Sequence, residues 1–245
     1  MSEGLRADVF LVEHGFAATR TEAQAAIAAG KVVIDGKKVK KSSQSIKEDA
    51  PVQYERAHPY VSRGALKLVA ALDHFGLNPK DRVCLDIGAS VGGFTEVLLE
   101  RGAARVFAVD VGHGQLREKL ASDPKVVKLE GVNARDLSAE EIDNPVDAIV
   151  ADVSFIGLKL VLAPALHFAQ NGCFLVALVK PQFEAGREAI GKGGIVTDEA
   201  VREDTVSDIA AWLAAQPGWV VIGSMESPVK GGSGNTEYLV AAVKS

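Results

Sequence analysis

Short apolar runs rich in β-branched residues, alternating with stretches of helical length, constrain the fold of this chain more than any other feature. The runs fall at 83–87, 105–109, 126–129, 148–151 and 174–179, and helical patterns lie among them at 92–101, 113–121 and 158–169. That alternation predicts an α/β fold, a parallel sheet with helices covering both faces. One more helix is predicted over 198–215. Two closing strands follow, 220–225 and 237–243, with a glycine-rich stretch and no helix between them. A connection of that kind makes an antiparallel hairpin.

The front of the chain is built differently. Residues 9–12 with Phe16 predict a short helix broken at Gly15. Thr19 and Glu22 have the spacing of a capping box, and Ala23, Ala26 and Ile27 share one face of a second helix that Gly30 ends. A strand at 32–34, a tight turn at Asp35-Gly36 and a return over 37–41 complete a small helix–helix–hairpin module. We therefore divide the chain into a module over 1–56, a linker over 57–64 and a larger domain over 65–245. Charge separates the two modules as well. Residues 1–56 carry 9 Lys+Arg against 8 Asp+Glu, and the rest 18 against 24. Lys37, Lys38, Lys40 and Lys41 fall between Asp35 and Glu48 with no carboxylate among them, a local patch able to meet phosphate on an otherwise acidic protein. The segment 6–39 resembles the S4 RNA-binding domain. The resemblance implies a small α+β fold that meets RNA through Arg6, Arg20, Lys37, Lys38, Lys40 and Lys41.

The segment Asp86-Ile87-Gly88-Ala89-Ser90-Val91-Gly92-Gly93-Phe94 follows the first strand of the larger sheet and opens a helix. Glycines there let a ligand approach the backbone. A dinucleotide fingerprint needs glycine where Ser90 stands, so an amino-acid-bearing nucleoside suits this loop better. The expected contacts are Asp86, Gly88, Ala89, Ser90, Gly92, Gly93 and Phe94. Asp110, at the tip of the next strand, is placed to accept hydrogen bonds from ribose hydroxyls. Asn133 and Ala134, after the third strand, are placed to meet a base edge.

Four polar residues interrupt or abut apolar elements: Lys67, Asp152, Lys180 and Glu237. Ligands of open α/β sheets sit beyond the carboxyl ends of the parallel strands, where Asp152 and Lys180 end theirs. An antiparallel last strand brings Glu237 to the same edge. The segments SRGALKL, LDIGASVGGFTEVLL, VADVSFIGL, LVKPQFE and GNTEYL closely resemble the TlyA, or hemolysin A, family, whose larger part is similar to FtsJ-type rRNA 2′-O-methyltransferases. The resemblance implies a Rossmann-like S-adenosylmethionine methyltransferase sheet behind an S4 domain. It further implies a Lys-Asp-Lys-Glu tetrad at Lys67, Asp152, Lys180 and Glu237, and as substrate ribosomal RNA or ribosomal subunits, at a cytidine of 16S or 23S rRNA. A lysine serves as base when burial or a neighbouring cation lowers its pKa from about 10.4. That chemistry makes Lys180 the expected base and the other three its orienting partners. The glycine-punctuated stretch 181–196 reads either as a lid or as an ordinary loop.

Rival functions fare worse. No apolar run approaches the roughly 18 residues of a membrane span, and no strongly amphipathic basic segment occurs, against a pore-former. A non-catalytic RNA-binding or ribosome-assembly protein would tolerate a damaged tetrad or loop, and both are intact. Cys84 and Cys173 sit in apolar runs and the five histidines are scattered, so no metal is expected and the expected compartment is the cytoplasm.

Overall fold

The computed structural model describes residues 4–245, and between Pro59 and Tyr60 the chain divides into two compact units. In the first, β1 (Leu5–Arg6) leads into α1 (Ala7–Glu13) and α2 (Arg20–Ala28), followed by β2 (Val32–Ile34), β3 (Lys37–Lys38), β4 (Ser45–Ile46) and β5 (Val52–Tyr54). Thr19 Oγ1 accepts the Glu22 amide at 3.2 Å, while the Glu22 carboxylate takes the amide of Ala18. The box therefore closes one residue before the cap. Asp35 (φ 51°) and Gly36 (φ 71°) make the tight turn. The return strand is shorter than predicted, ending at Lys38, although buried Val39 still donates its amide to Val32 O at 3.0 Å. Phe10, Leu11, Ala23, Ala26, Ile27, Val32, Ile34, Val39 and Ile46 form a core of this unit's own.

The second unit begins with Tyr60, earlier than the predicted boundary at residue 65. Tyr60 packs on this unit's core and the Val61 amide donates to Glu96. Its elements are α3 (Gly64–Phe75), β6 (Val83–Ile87), α4 (Gly93–Glu100), β7 (Arg105–Asp110), α5 (Glu118–Ala121), β8 (Val126–Glu130), β9 (Val146–Ala151), α6 (Leu158–Ala165), β10 (Ala169–Val179), α7 (Pro181–Glu184), α8 (Glu199–Ala214), β11 (Trp219–Glu226) and β12 (Tyr238–Lys244). The strands form one sheet in the order β11-β12-β10-β9-β6-β7-β8. Strands β6 to β10 are mutually parallel, whereas β12 inserts antiparallel between β10 and β11. The expected α/β class, the parallel sheet and the closing hairpin are all present.

Strand periodicity sorts the core. Leu175, Ala177 and Val179 face one helical layer with Leu158, Leu162, Ile209 and Leu213. Phe174, Val176 and Leu178 face the other with Ala65, Leu68 and Leu72 of α3. Each large side chain so buried contributes about 1.5–3 kcal/mol. Lys67 thus rides on a helix anchored by its neighbour Leu68.

One predicted helix is largely absent. Of 113–121 only Glu118–Ala121 is helical, because the Glu130 carboxylate takes the amides of Gly114, Gln115 and Leu116 and holds the preceding residues in an open arc.

Candidate active site

The loop after β6 is shaped by the protein's own neighbours. A Cβ at Gly88 (φ 83°) would overlap the carbonyl oxygen of Asp152, one at Gly92 (φ 100°) would overlap Leu120, and one at Gly93 would meet Ser62 Oγ. At Gly88 and Gly92, where the backbone is also left-handed, glycine is required before any ligand is considered. Ser90 also adopts a left-handed backbone (φ 49°), a conformation that costs a non-glycine residue about 1–3 kcal/mol. Its amide is held by Asp110 Oδ2 at 2.8 Å, and Asp110 Oδ1 takes the Gly112 amide at 2.8 Å. A carboxylate has about four lone-pair sites, so Asp110 retains acceptor capacity for hydroxyl groups.

Asp86 lies beneath this loop, fully buried. Thr95 Oγ1 donates to its Oδ2 at 2.6 Å, and Oδ1 has no hydrogen-bond partner among the described residues. Burial pushes its carboxyl up to about 7, and the nearby carboxylates of Asp152 and Asp110 add to the rise, against the Thr95 hydrogen bond. An orphaned acid oxygen beside a glycine cradle fits a ligand that brings its own cation. Three other expected contacts are less available. Ala134 and Phe94 have core side chains, leaving only their backbones to a ligand, and Asn133 Oδ1 already caps the turn at Ala134–Asp136 through the Arg135 amide at 3.1 Å. Glu130, which the sequence did not single out, is held down to about 2 by the Leu116, Gly114 and Gln115 amides and so fixes the arc beside Asp110.

At the carboxyl edge of the sheet the four polar residues come together as two ion pairs. Lys67 Nζ donates to Glu237 Oε2 at 2.5 Å, with both side chains buried. Lys180 Nζ lies 2.6 Å from Asp152 Oδ1 as an ion pair and donates to Ser154 Oγ at 2.9 Å. Gln182 bridges toward the first pair, its Nε2 3.4 Å from Glu237 Oε1. Gly64, one turn before Lys67, approaches Asp152, since a Cβ there would sit 3.6 Å from Asp152 Oδ2. Topology explains the meeting. Asp152 and Lys180 end adjacent parallel strands, α3 carries Lys67 along the sheet face, and antiparallel β12 starts where those strands finish.

Around this edge lie features that the sequence reading passed over. Phe155 is 90% exposed with φ 64°, a strained backbone for a bulky residue, and its ring sits 4.8 Å from that of Phe183. Buried Asn235 pins the stretch 181–196, donating to Gly194 O at 2.8 Å and accepting the Val196 amide at 3.0 Å. Glu184 anchors its start by accepting the Leu158 amide. A lid movement of this stretch would have to break those bonds.

In the first unit, buried Asp8 gathers two of the expected RNA contacts. Arg6 grips it through Nε and Nη2 at 3.0 and 3.1 Å, Arg20 donates at 3.1 Å and Gln24 at 2.7 Å. The Arg6 hydrogen bond, against the cost of burial, holds the Asp8 carboxyl well below the usual carboxylate range. Both guanidinium groups remain half exposed with N–H groups to spare. Lys37, Lys38, Lys40 and Lys41 are exposed and make no ion pair among the described residues.

Comparison with known proteins bears on both units. The model of the FtsJ-like methyltransferases matches residues 60–244, and that of the S4 domain matches residues 5–52. The 16S/23S rRNA (cytidine-2′-O)-methyltransferase TlyA of Mycobacterium tuberculosis is 46% identical over 98% of this chain and 90% of its own length. Hemolysin A of Brachyspira hyodysenteriae is 39% identical over 96% and 98%. A solved Streptococcus thermophilus structure carrying a hemolysin name superposes with a TM-score of 0.77 at 38% identity, covering 100% of this chain and 90% of that one. No helix among the described residues is long and apolar enough to cross a membrane.

Two outcomes are expected of this geometry. Replacing Glu237 alone with leucine strands the Lys67 ammonium and should cost about 3–5 kcal/mol in denaturant unfolding. The double change Lys67→Met with Glu237→Leu should recover most of it, and equal losses would mean the pair is not buried as described. Asp86 sets a pH dependence. Its folded pKa lies above the unfolded value, so its contribution is fully present below about pH 4 and is lost as pH rises through about 7. Asp86→Asn should therefore gain stability relative to the parent as pH rises from about 4 to about 7, whereas parallel curves over that range would refute the shift.

Proposed function

Because the chain belongs to the TlyA family of FtsJ-like methyltransferases with an S4 domain, we propose that it methylates a ribose 2′-hydroxyl of ribosomal RNA, at a cytidine, using S-adenosylmethionine. The observation that carries this reading is the two lysine–carboxylate contacts at the sheet edge, one buried and one partly buried, beside a glycine loop of the shape described. Asp86 suits the ammonium of the cofactor's amino acid, since its unpaired Oδ1 lacks a donor. Asp110 suits the ribose, and the backbone of the loop 88–93 the intervening atoms. Bound there, S-adenosylmethionine supplies an electrophilic methyl group.

The chain's own residues then handle a proton. Lys180 is the general base. The O–H bond of the ribose would break as an N–H bond forms at Nζ, freeing the oxygen's electron pair to take up the methyl group that the cofactor would supply. Asp152 stabilises the lysine as it becomes cationic. Lys67, held by Glu237, places a fixed positive charge near the oxygen as negative charge develops there. Phe155 and Phe183 offer an aromatic face to a base turned out of its stack. In the S4 unit the exposed lysines and the Asp8-braced arginines meet phosphate.

Methyl transfer tests the base directly. Lys180→Ala should abolish it while cofactor and RNA affinities stay within about twofold. Lys180→Arg should fail too, because a guanidinium does not give up its proton in a protein. An RNA with 2′-deoxyribose at the target should bind and take no methyl, whereas equal incorporation would move the reaction to a base. The S4 unit has its own test. Changing Lys37, Lys38, Lys40 and Lys41 together to alanine should weaken RNA binding and reduce the salt slope by about 2–3, with cofactor binding intact. An unchanged slope would show these lysines to be solvated only.

A further inference from the structure

A lysine amine sits at the end of a four-carbon stem and rotates about its last bond, so a base at Nζ works only if something fixes where its lone pair points. Among the described residues, Nζ of Lys180 has two neighbours of consequence. Asp152 Oδ1 lies 2.6 Å away and pairs with it as a charge. Ser154 Oγ, at 2.9 Å, accepts a hydrogen bond from the amine and is the second, uncharged partner that with the carboxylate defines its rotation. Lys67 Nζ donates instead to Glu237 Oε2.

We propose that Ser154 is a positioning residue for the methyl-transfer reaction. By accepting an N–H bond from Lys180 Nζ, it fixes the rotation of the amine so that the lone pair faces the ribose hydroxyl. This rests on the reading of Lys180 as base. The ammonium first gives one proton to water, to which the exposed Ser154 side of the site is open. The neutral amine then has two N–H bonds and one lone pair. Ser154 takes one N–H bond, the Asp152 charge draws the other to its side, and the lone pair is left the remaining direction. Local backbone supports the placement. Ser154 stands two residues after Asp152, and the left-handed turn at Phe155 follows at once, bending the chain away directly beyond the hydroxyl. The hydroxyl touches neither substrate nor cofactor in this account and acts through Lys180 alone.

Steady-state methyl transfer to ribosomal RNA by the full chain separates this role from a structural one. Ser154→Ala should lower kcat by about tenfold or more, part of the 10²–10⁴ that a general base supplies. KM for RNA and Kd for the cofactor should stay within about twofold, and the thermal midpoint should not move. Ser154→Thr, which keeps the hydroxyl at an exposed position, should restore most of kcat. Unchanged kcat in the alanine variant, a loss carried by KM, or no rescue by threonine would each overturn the proposal. Lys180→Ala run alongside keeps the two claims apart. If it remains active, the base reading fails. If it is inactive while Ser154→Ala is fully active, only the role of Ser154 fails.

Discussion

Two ammonium groups withdrawn from water at one edge of a sheet must each meet a carboxylate, and that requirement ties together the otherwise distant parts of the larger unit. Lys67 arrives on a helix before the first strand, Asp152 and Lys180 on adjacent parallel strands, and Glu237 ahead of the last strand, 170 positions after its partner. Only a final strand running against its neighbours delivers Glu237 to the carboxyl edge, so the antiparallel insertion of β12 is the topological condition for the site. Buried ion pairs add little to stability over apolar residues of the same volume. Their presence at this edge is therefore better explained by chemistry than by folding.

The same edge is packed so tightly that the glycine loop after β6 has little choice of shape. The Asp152 carbonyl presses on Gly88, and Leu120 and Ser62 close on Gly92 and Gly93. Asp110 holds the strained Ser90 amide, and Glu130 holds the arc that follows Asp110. One acid is left unsatisfied. Asp86, buried with a free oxygen and a carboxyl raised to about 7, is a cost that a cationic ligand would remove. A loop formed in advance around an unsatisfied charge pays little to organise when its ligand arrives.

Much of this was legible in the sequence, and the rest was hidden for physical reasons. The parallel strands, the closing hairpin and the turn at Asp35-Gly36 follow from periodicity and from residues that tolerate a left-handed backbone. The two-residue strands β1 and β4 leave no periodic trace, and β5 is hardly longer. The segment 113–121 has helical spacing, but the Glu130 carboxylate captures its amides from another strand, a contact that spacing along the chain does not record. The residues Lys67, Asp152, Lys180 and Glu237 could be named from the motifs, yet which lysine meets which carboxylate is a matter of three dimensions. Ser154 and Asp8 were passed over because a serine beside an aspartate, or an aspartate opening a helix, is ordinary until its partners are known. Pairing with Asp8 also changes the meaning of Arg6 and Arg20, which are braced groups rather than free surface charges.

Relatives of this chain carry both methyltransferase and hemolysin names, and the proposal made above concerns the first. Its central claim is that the sheet edge activates a sugar oxygen of RNA. The most direct measurement is to incubate unmodified ribosomal subunits with the protein and isotopically labelled S-adenosylmethionine, digest the RNA to nucleosides and identify the labelled product by mass spectrometry. The label is expected in 2′-O-methylcytidine. Label in a base-methylated nucleoside, or none in the RNA, would contradict it.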